Sequence, residues 1–182
     1  MPAPAYVVAL DLATKTGFAR GYVGGMPEFG SLRFASPGAS DKAIFHSCLR
    51  WAHKFLGQTP RADVLAIEAL LPPTVVKGET NTQTIYRLAG LHGIVLAVAY
   101  EHGIYRVETP SVGDIRGHFI NDRACKREQA KREVIRKCLA LGWAAANDDQ
   151  GDALALWHLQ CARLDPKLAL EVSPLFHRGV AL

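Results

Sequence analysis

Apolar residues along this chain follow two kinds of pattern. YVVAL, residues 6–10, is a continuous run of strand formers and reads as a central strand covered on both faces. GFARGYV (17–23) and EFGSLRF (28–34) alternate more, and Gly24-Gly25-Met26-Pro27 separates them, so a meander of two further strands is expected. VLAIEAL (64–70) repeats the buried pattern before Pro72-Pro73, and IYRVE (104–108) runs into Thr109-Pro110. Helical spacing fills the intervals. It covers residues 38–57, with Ile44, Cys48, Trp51, Ala52 and Phe55 on one stripe, then 82–102, 126–141 and 148–164. A basic segment precedes the helix at 126. The order β-β-β-α-β-α-β-α-α predicts an α/β fold: a mixed five-stranded sheet, a three-strand meander plus parallel strands, with helices on both faces.

At 182 residues one domain is expected, spanning 1–182, with its core at about 5–165 and a tail, 166–182, on the surface or in a partner contact. The net charge of +4 and pI near 9.0 permit a polyanionic partner without requiring one. Cys48, Cys125, Cys138 and Cys161 lack zinc-finger spacing and read as reduced thiols, which suits a cytoplasmic location. The N-terminal apolar run has no basic lead-in, and Arg87, His92 and Glu101 interrupt residues 84–102, so neither a signal peptide nor a membrane span is expected.

Acidic residues change the picture. Asp11 directly follows YVVAL and Glu68 directly follows VLAI, so each carboxylate lies close to the core. In NDDQGDALALWHL (147–159), Asn147 or Asp148 can cap the helix and Asp149 suits its first turn. Asp152 is past the cap and shares a face with Ala155, Leu156 and Leu159, with no Lys or Arg within a turn. Asp149, and also Asp148, can share that face. If this helix crosses the ends of the two acidic strands, Asp11, Glu68, Asp149 and Asp152 converge. Four like charges in one pocket call for hard divalent cations, with Mg²⁺ the common one. Two such ions suit phosphodiester cleavage. No Walker loop, G-x-S-x-G or H-E-x-x-H motif points elsewhere.

These segments together resemble the RuvC-like Holliday junction resolvases of the RNase H-like nuclease superfamily. ALDLATKTGFA is similar to the family's first catalytic strand and the Thr-Gly that opens the second strand. VLAIEAL is similar to the strand bearing the catalytic Glu, and VETPSVGDIR to the strand and turn before the DNA-facing segment. CKREQAKREVIRKCL resembles the lysine-led helix, and DDQGDALALWHL the final acidic helix. The resemblance runs from about residue 6 to 164. It implies metal ligands Asp11, Glu68, Asp149 and Asp152, two Mg²⁺ per site with Mn²⁺ able to substitute, and Lys126 approaching the scissile phosphate. It also implies a homodimer that makes paired cuts in four-way junctions and needs no nucleotide cofactor; helix 82–102 has the position of the family's dimer helix, and its apolar run fits a purely core role equally well. Asp11-Leu12-Ala13 lacks the family's glycine, HFINDRAC is not glycine-rich, and Leu70-Leu71 replaces an aromatic after the Glu. A divergent member, phage or prophage type, with a broader branched-DNA substrate range is expected.

Positive charge concentrates between residues 116 and 137. Arg116, Arg123, Lys126, Arg127, Lys131 and Arg132 are the expected phosphate contacts, against the plainer reading of a solvated helix face. The seven histidines are scattered and form no expected ligand pair, and His158 is read as structural. Two alternatives remain. An RNase H-type RNA–DNA hybrid nuclease normally takes a Glu from its first helix, where only Asp41 stands here. A catalytically degenerate DNA-binding module has no reason to retain four costly acids. An actin-like ATPase would need two lobes.

Overall fold

The computed structural model describes residues 3–70 and 82–172. The expected Pro72-Pro73 stop, Leu71 and the end of the tail lie outside the described residues. Strands β1 (Tyr6–Asp11), β2 (Lys15–Tyr22), β3 (Glu28–Arg33), β4 (Val64–Ile67) and β5 (Val107–Glu108) form one sheet in the order β3-β2-β1-β4-β5. β1, β2 and β3 pair antiparallel, while β1–β4 and β4–β5 pair parallel, which is the expected meander extended by parallel strands. Helices α1 (Asp41–Leu56), α2 (Thr82–Glu101), α3 (Val112–Phe119), α4 (Arg127–Ala140) and α5 (Asp148–Leu164) complete the fold, followed by a 3₁₀ turn at Pro166–Val172.

Strand alternation divides the core in two. Val8, Leu10, Leu65 and Ile67 meet Ile44, Cys48, Ala52 and Phe55 of α1 and Leu91, Val95, Val98 and Ala99 of α2. The opposite face carries smaller residues, Val7, Ala9, Ala19 and Ala66, which meet α5, α3 and α4. Small side chains let α5 lie close against the sheet, and every residue of α5 from Ala153 to Ala162 is buried. Leu168 of the 3₁₀ turn also packs on this core.

Three expectations need correction. β4 ends at Ile67, so Glu68–Leu70 leave the ladder, and the Ala69 amide instead bonds the Pro110 carbonyl at 2.9 Å. β5 keeps only two residues, because Thr109-Pro110 ends it and Ile104 turns into the core. The segment after Pro110 contains a helix, α3, that periodicity hides because it is short and holds Gly113 and Gly117. Its signal was the Ser111-x-x-Asp114 cap: Ser111 Oγ accepts from the Asp114 amide at 3.1 Å and donates to the Asp114 carboxylate at 2.8 Å.

Candidate active site

On β1, the residues facing α5 are Val7, Ala9 and then Asp11, by alternation. On β4, the same face holds Ala66 and then Glu68, one residue past the strand. Parallel pairing sets Leu10 beside Ile67, so Asp11 and Glu68 leave neighbouring strands at the same level. On β2, the odd positions Lys15, Gly17 and Ala19 face α5, and Gly17 lies opposite Asp11.

The turn between β1 and β2 is closed by Thr16, which is wholly buried. Its hydroxyl donates to the Ala13 carbonyl at 2.7 Å and accepts from the Ala13 amide at 3.2 Å. Gly17 then clears the way for the start of α5. A Cβ there would overlap the Asp149 carbonyl oxygen, stand 2.5 Å from its carbon and meet Ala153 Cβ at 3.3 Å. Asn147 caps α5 by accepting from the Gln150 amide at 3.1 Å, and its side-chain amide donates to Ser31 Oγ at 3.1 Å. Ser31 is the β3 partner of Gly17, so the start of α5 is pinned above the Asp11 end of the sheet.

Asp11, Glu68, Asp149 and Asp152 are each half-buried at this end of the sheet, and each of the other three acids contributes to the electrostatics of Asp11. Burial first, then the charges of Asp152, Glu68 and Asp149, push Asp11 up to about 8. Burial and Asp152 push Glu68 up to about 7 against the pull of Arg116. Burial, then Asp148, push Asp152 up to about 6 against Arg116 and Lys131. The causes are desolvation and like charge together.

Among the described residues, no group of three or more Asp, Glu, His or Cys side chains is closed into a metal-holding cluster as it stands. One of the four acids faces a cation instead: Asp149 pairs with Lys15, while its neighbour Asp148 pairs with Lys131 at 2.9 Å. The donor set still fits Mg²⁺ or Mn²⁺. It consists of hard carboxylate oxygens, brought within electrostatic reach of one another and held there at a cost that a divalent ion would relieve.

The basic residues separate into groups. Arg116, on α3, is the one nearest in effect, since its charge acts on both Glu68 and Asp152, and its guanidinium donates to the Cys125 carbonyl at 3.2 Å. Lys126 is exposed at the N-cap of α4 and makes no side-chain capping bond, and Arg127 and Arg132 are exposed along that helix. Arg123 pairs with Asp114 at 3.0 Å and Lys131 with Asp148. Sequence reasoning missed Lys15, whose only signal was its odd-numbered place two residues before Gly17. It also missed a histidine pair: His118 Nε2 and His158 Nδ1 are 2.8 Å apart, between α3 and α5, and burial lowers both to about 4. This contact joins two helices in the core, in keeping with the structural reading of His158, and it escaped notice because α3 had not been recognised.

No family model matches the sequence, and no curated protein does. Solved structures do match. Thermus thermophilus RuvC is 20% identical with a TM-score of 0.65, covering 87% of this chain and 96% of that one. The T. thermophilus RuvC complex with Holliday junction substrate is 18% identical with a TM-score of 0.65, covering 88% and 96%. A yeast mitochondrial Holliday junction resolvase is 12% identical with a TM-score of 0.57, covering 94% and 85%. At these identities the likeness is one of fold: this chain has the RuvC-like form of the RNase H fold. Among the described residues no helix is long and apolar enough to cross a membrane.

Proposed function

We propose that the chain is a metal-dependent, structure-selective endodeoxyribonuclease that cleaves Holliday junctions and other branched DNA as a homodimer, one cut per subunit. The observation that carries this reading is the convergence of Asp11, Glu68 and Asp152, with Asp149 beside them, at one end of a RuvC-like sheet. Asp11, Glu68, Asp149 and Asp152 would hold Mg²⁺, two ions per site, or Mn²⁺ in its place. The ions would supply an activated water and stabilise the attacking and leaving oxygens of phosphodiester hydrolysis.

This chain's own residues do the rest. Asp11 and Glu68 hold their carboxylates on rigid strand ends, and α5 adds two more from a buried helix, so four donors are positioned before substrate arrives. Arg116 sits where it can neutralise charge on a bound phosphate without leaving the pocket. Lys126 approaches the scissile phosphate, while Arg123, Arg127, Lys131 and Arg132 track the backbone, a role that gives position rather than sequence reading.

Support for the dimer lies on α2. One face packs on the core through Leu91, Val95, Val98 and Ala99. The other exposes Tyr86, Ala89, Gly93, Leu96, Ala97 and Tyr100, an apolar stripe with small residues at its centre that lets a second α2 come close. The four cysteines are buried and none is joined in a disulfide, in keeping with a cytoplasmic protein. The hybrid-nuclease alternative is weakened because Asp41, the only acid of α1, is held by Arg87 at 2.6 Å.

Incubation with four-way junctions, flaps, linear duplex and RNA–DNA hybrid, with and without Mg²⁺, tests the proposal. Mg²⁺-dependent cutting that favours branched DNA is expected, and preferential cutting of the hybrid would replace it with the RNase H reading.

A further inference from the structure

Among the described residues, Lys15 is the one cation paired directly with Asp11, Glu68, Asp149 or Asp152, through its ion pair with Asp149. An ion pair this open to solvent is ordinarily a minor surface feature. Its placement argues otherwise. Strand alternation sends Lys15 to the α5 side of the sheet with Gly17 and Ala19, and Gly17 brings the Asp149 backbone down onto β2. The turn that carries Lys15 is locked at both ends, by buried Thr16 and by the bond from the Phe34 amide to the Thr14 carbonyl at 2.9 Å. The ammonium is thus delivered to the rim of a pocket whose acids already repel one another.

Resting on the metal-dependent reading above, we propose that Lys15 is a tethered counter-ion that competes with the divalent cation for Asp149. Asp149 cannot offer its full charge to both. In the free protein Lys15 offsets part of the pocket's repulsion. For Asp149 to serve as a metal ligand, its pairing with Lys15 must loosen, and a positive charge remains close by. Lys15 therefore raises the divalent concentration at which the site fills. It is a positioning residue and makes no bond to the reacting atoms.

The test is calorimetric titration of the full chain with Mn²⁺ and with Mg²⁺, in wild type, Lys15→Met and Lys15→Arg. Lys15→Met keeps the stem and removes the charge. It should bind the ion more tightly, on the order of fivefold to tenfold, from the loss of one nearby positive charge. Its metal-free form should melt lower than wild type, and its cleavage should reach half-maximum at a lower Mg²⁺ concentration. Lys15→Arg should stay near wild type in all three. Wild type that binds the ion while Lys15→Met binds it no more tightly overturns this inference and leaves the proposed function standing. Wild type that takes up no divalent ion overturns both. Circular dichroism of Lys15→Met confirms folding, and this half-exposed side chain belongs to neither core cluster.

Discussion

Gly17 lies beneath Asp149 so closely that no side chain can stand between them, since a Cβ on Gly17 would overlap the Asp149 carbonyl oxygen. Because Gly17 is also the β2 partner of Asp11, this one contact sets the start of α5 over the end of β1. The expected consequence of Gly17→Ala is a loss of about 1–3 kcal/mol of stability, from overpacking against backbone that cannot give way. Activity should fall further than folding does, because α5 lifts Asp149 and Asp152 away from Asp11. Chemical denaturation alongside junction cleavage checks this. A variant as stable and active as wild type would show that the close approach does not matter.

The raised acids give the metal-free protein an unusual pH dependence. A carboxylate whose folded pKa lies above its unfolded value binds more protons when folded. Stability is then fully present below the unfolded pKa and is lost as pH rises through the folded one. For Asp152, Glu68 and Asp11 that window runs from about 4 to about 8. His118 and His158 act oppositely, because burial lowers them to about 4, so their contribution is lost as pH falls below their unfolded value. Above the ordinary histidine range these two histidines no longer oppose the acids. Melting in EDTA should drop between pH roughly 6.5 and 8.5, and saturating Mg²⁺ should remove most of the drop. An EDTA profile that rises over this interval would contradict the raised carboxylates.

Much of this arrangement was legible in the sequence. YVVAL followed by Asp11 and VLAI followed by Glu68 marked two buried strands with acids at their ends, and Asp152 stood out because a helix face of Ala155, Leu156 and Leu159 has no use for a charge. What could not be read was how α5 docks. That depends on Gly17 and the small residues Ala9, Ala19 and Ala66, which carry little weight in a periodicity. Short elements were misjudged for a related reason. Two glycines hid α3, and Pro110 shortened β5. Both histidines of the buried pair were visible, but their contact depends on α3.

The stripe on α2 should drive self-association. Leu96 is exposed amid Tyr86, Gly93 and Tyr100, so Leu96→Lys should weaken the dimer while sparing the fold. Light scattering at micromolar concentration is expected to show dimer for wild type and mostly monomer for the variant. Wild type that stays monomeric with and without DNA would remove the paired-cut reading.

Lys126→Ala is expected to slow cleavage more than it weakens binding. Arg127→Ala and Arg132→Ala, exposed along α4, should mainly weaken binding and flatten its salt dependence by about one ion each. Junction binding measured across a salt series, beside single-turnover rates, separates the two roles. Equal losses in binding and in rate for all three would erase the distinction.

The central claim is that the converging carboxylates are a divalent-cation site that performs the cleavage, and Asp152 tests it most directly. Asp152→Asn preserves shape and removes a charge from a pocket crowded with acids, whereas Asp148 belongs with Lys131 at the outer side of α5. Four-way junction cleavage in Mg²⁺ is the measurement. Asp152→Asn should bind junctions and fail to cut them, with its metal-free form more stable by ~1–3 kcal/mol at pH 8. Asp148→Asn should keep most of its activity. Normal cutting by Asp152→Asn in Mg²⁺ would contradict the four-carboxylate site and, with it, the nuclease reading.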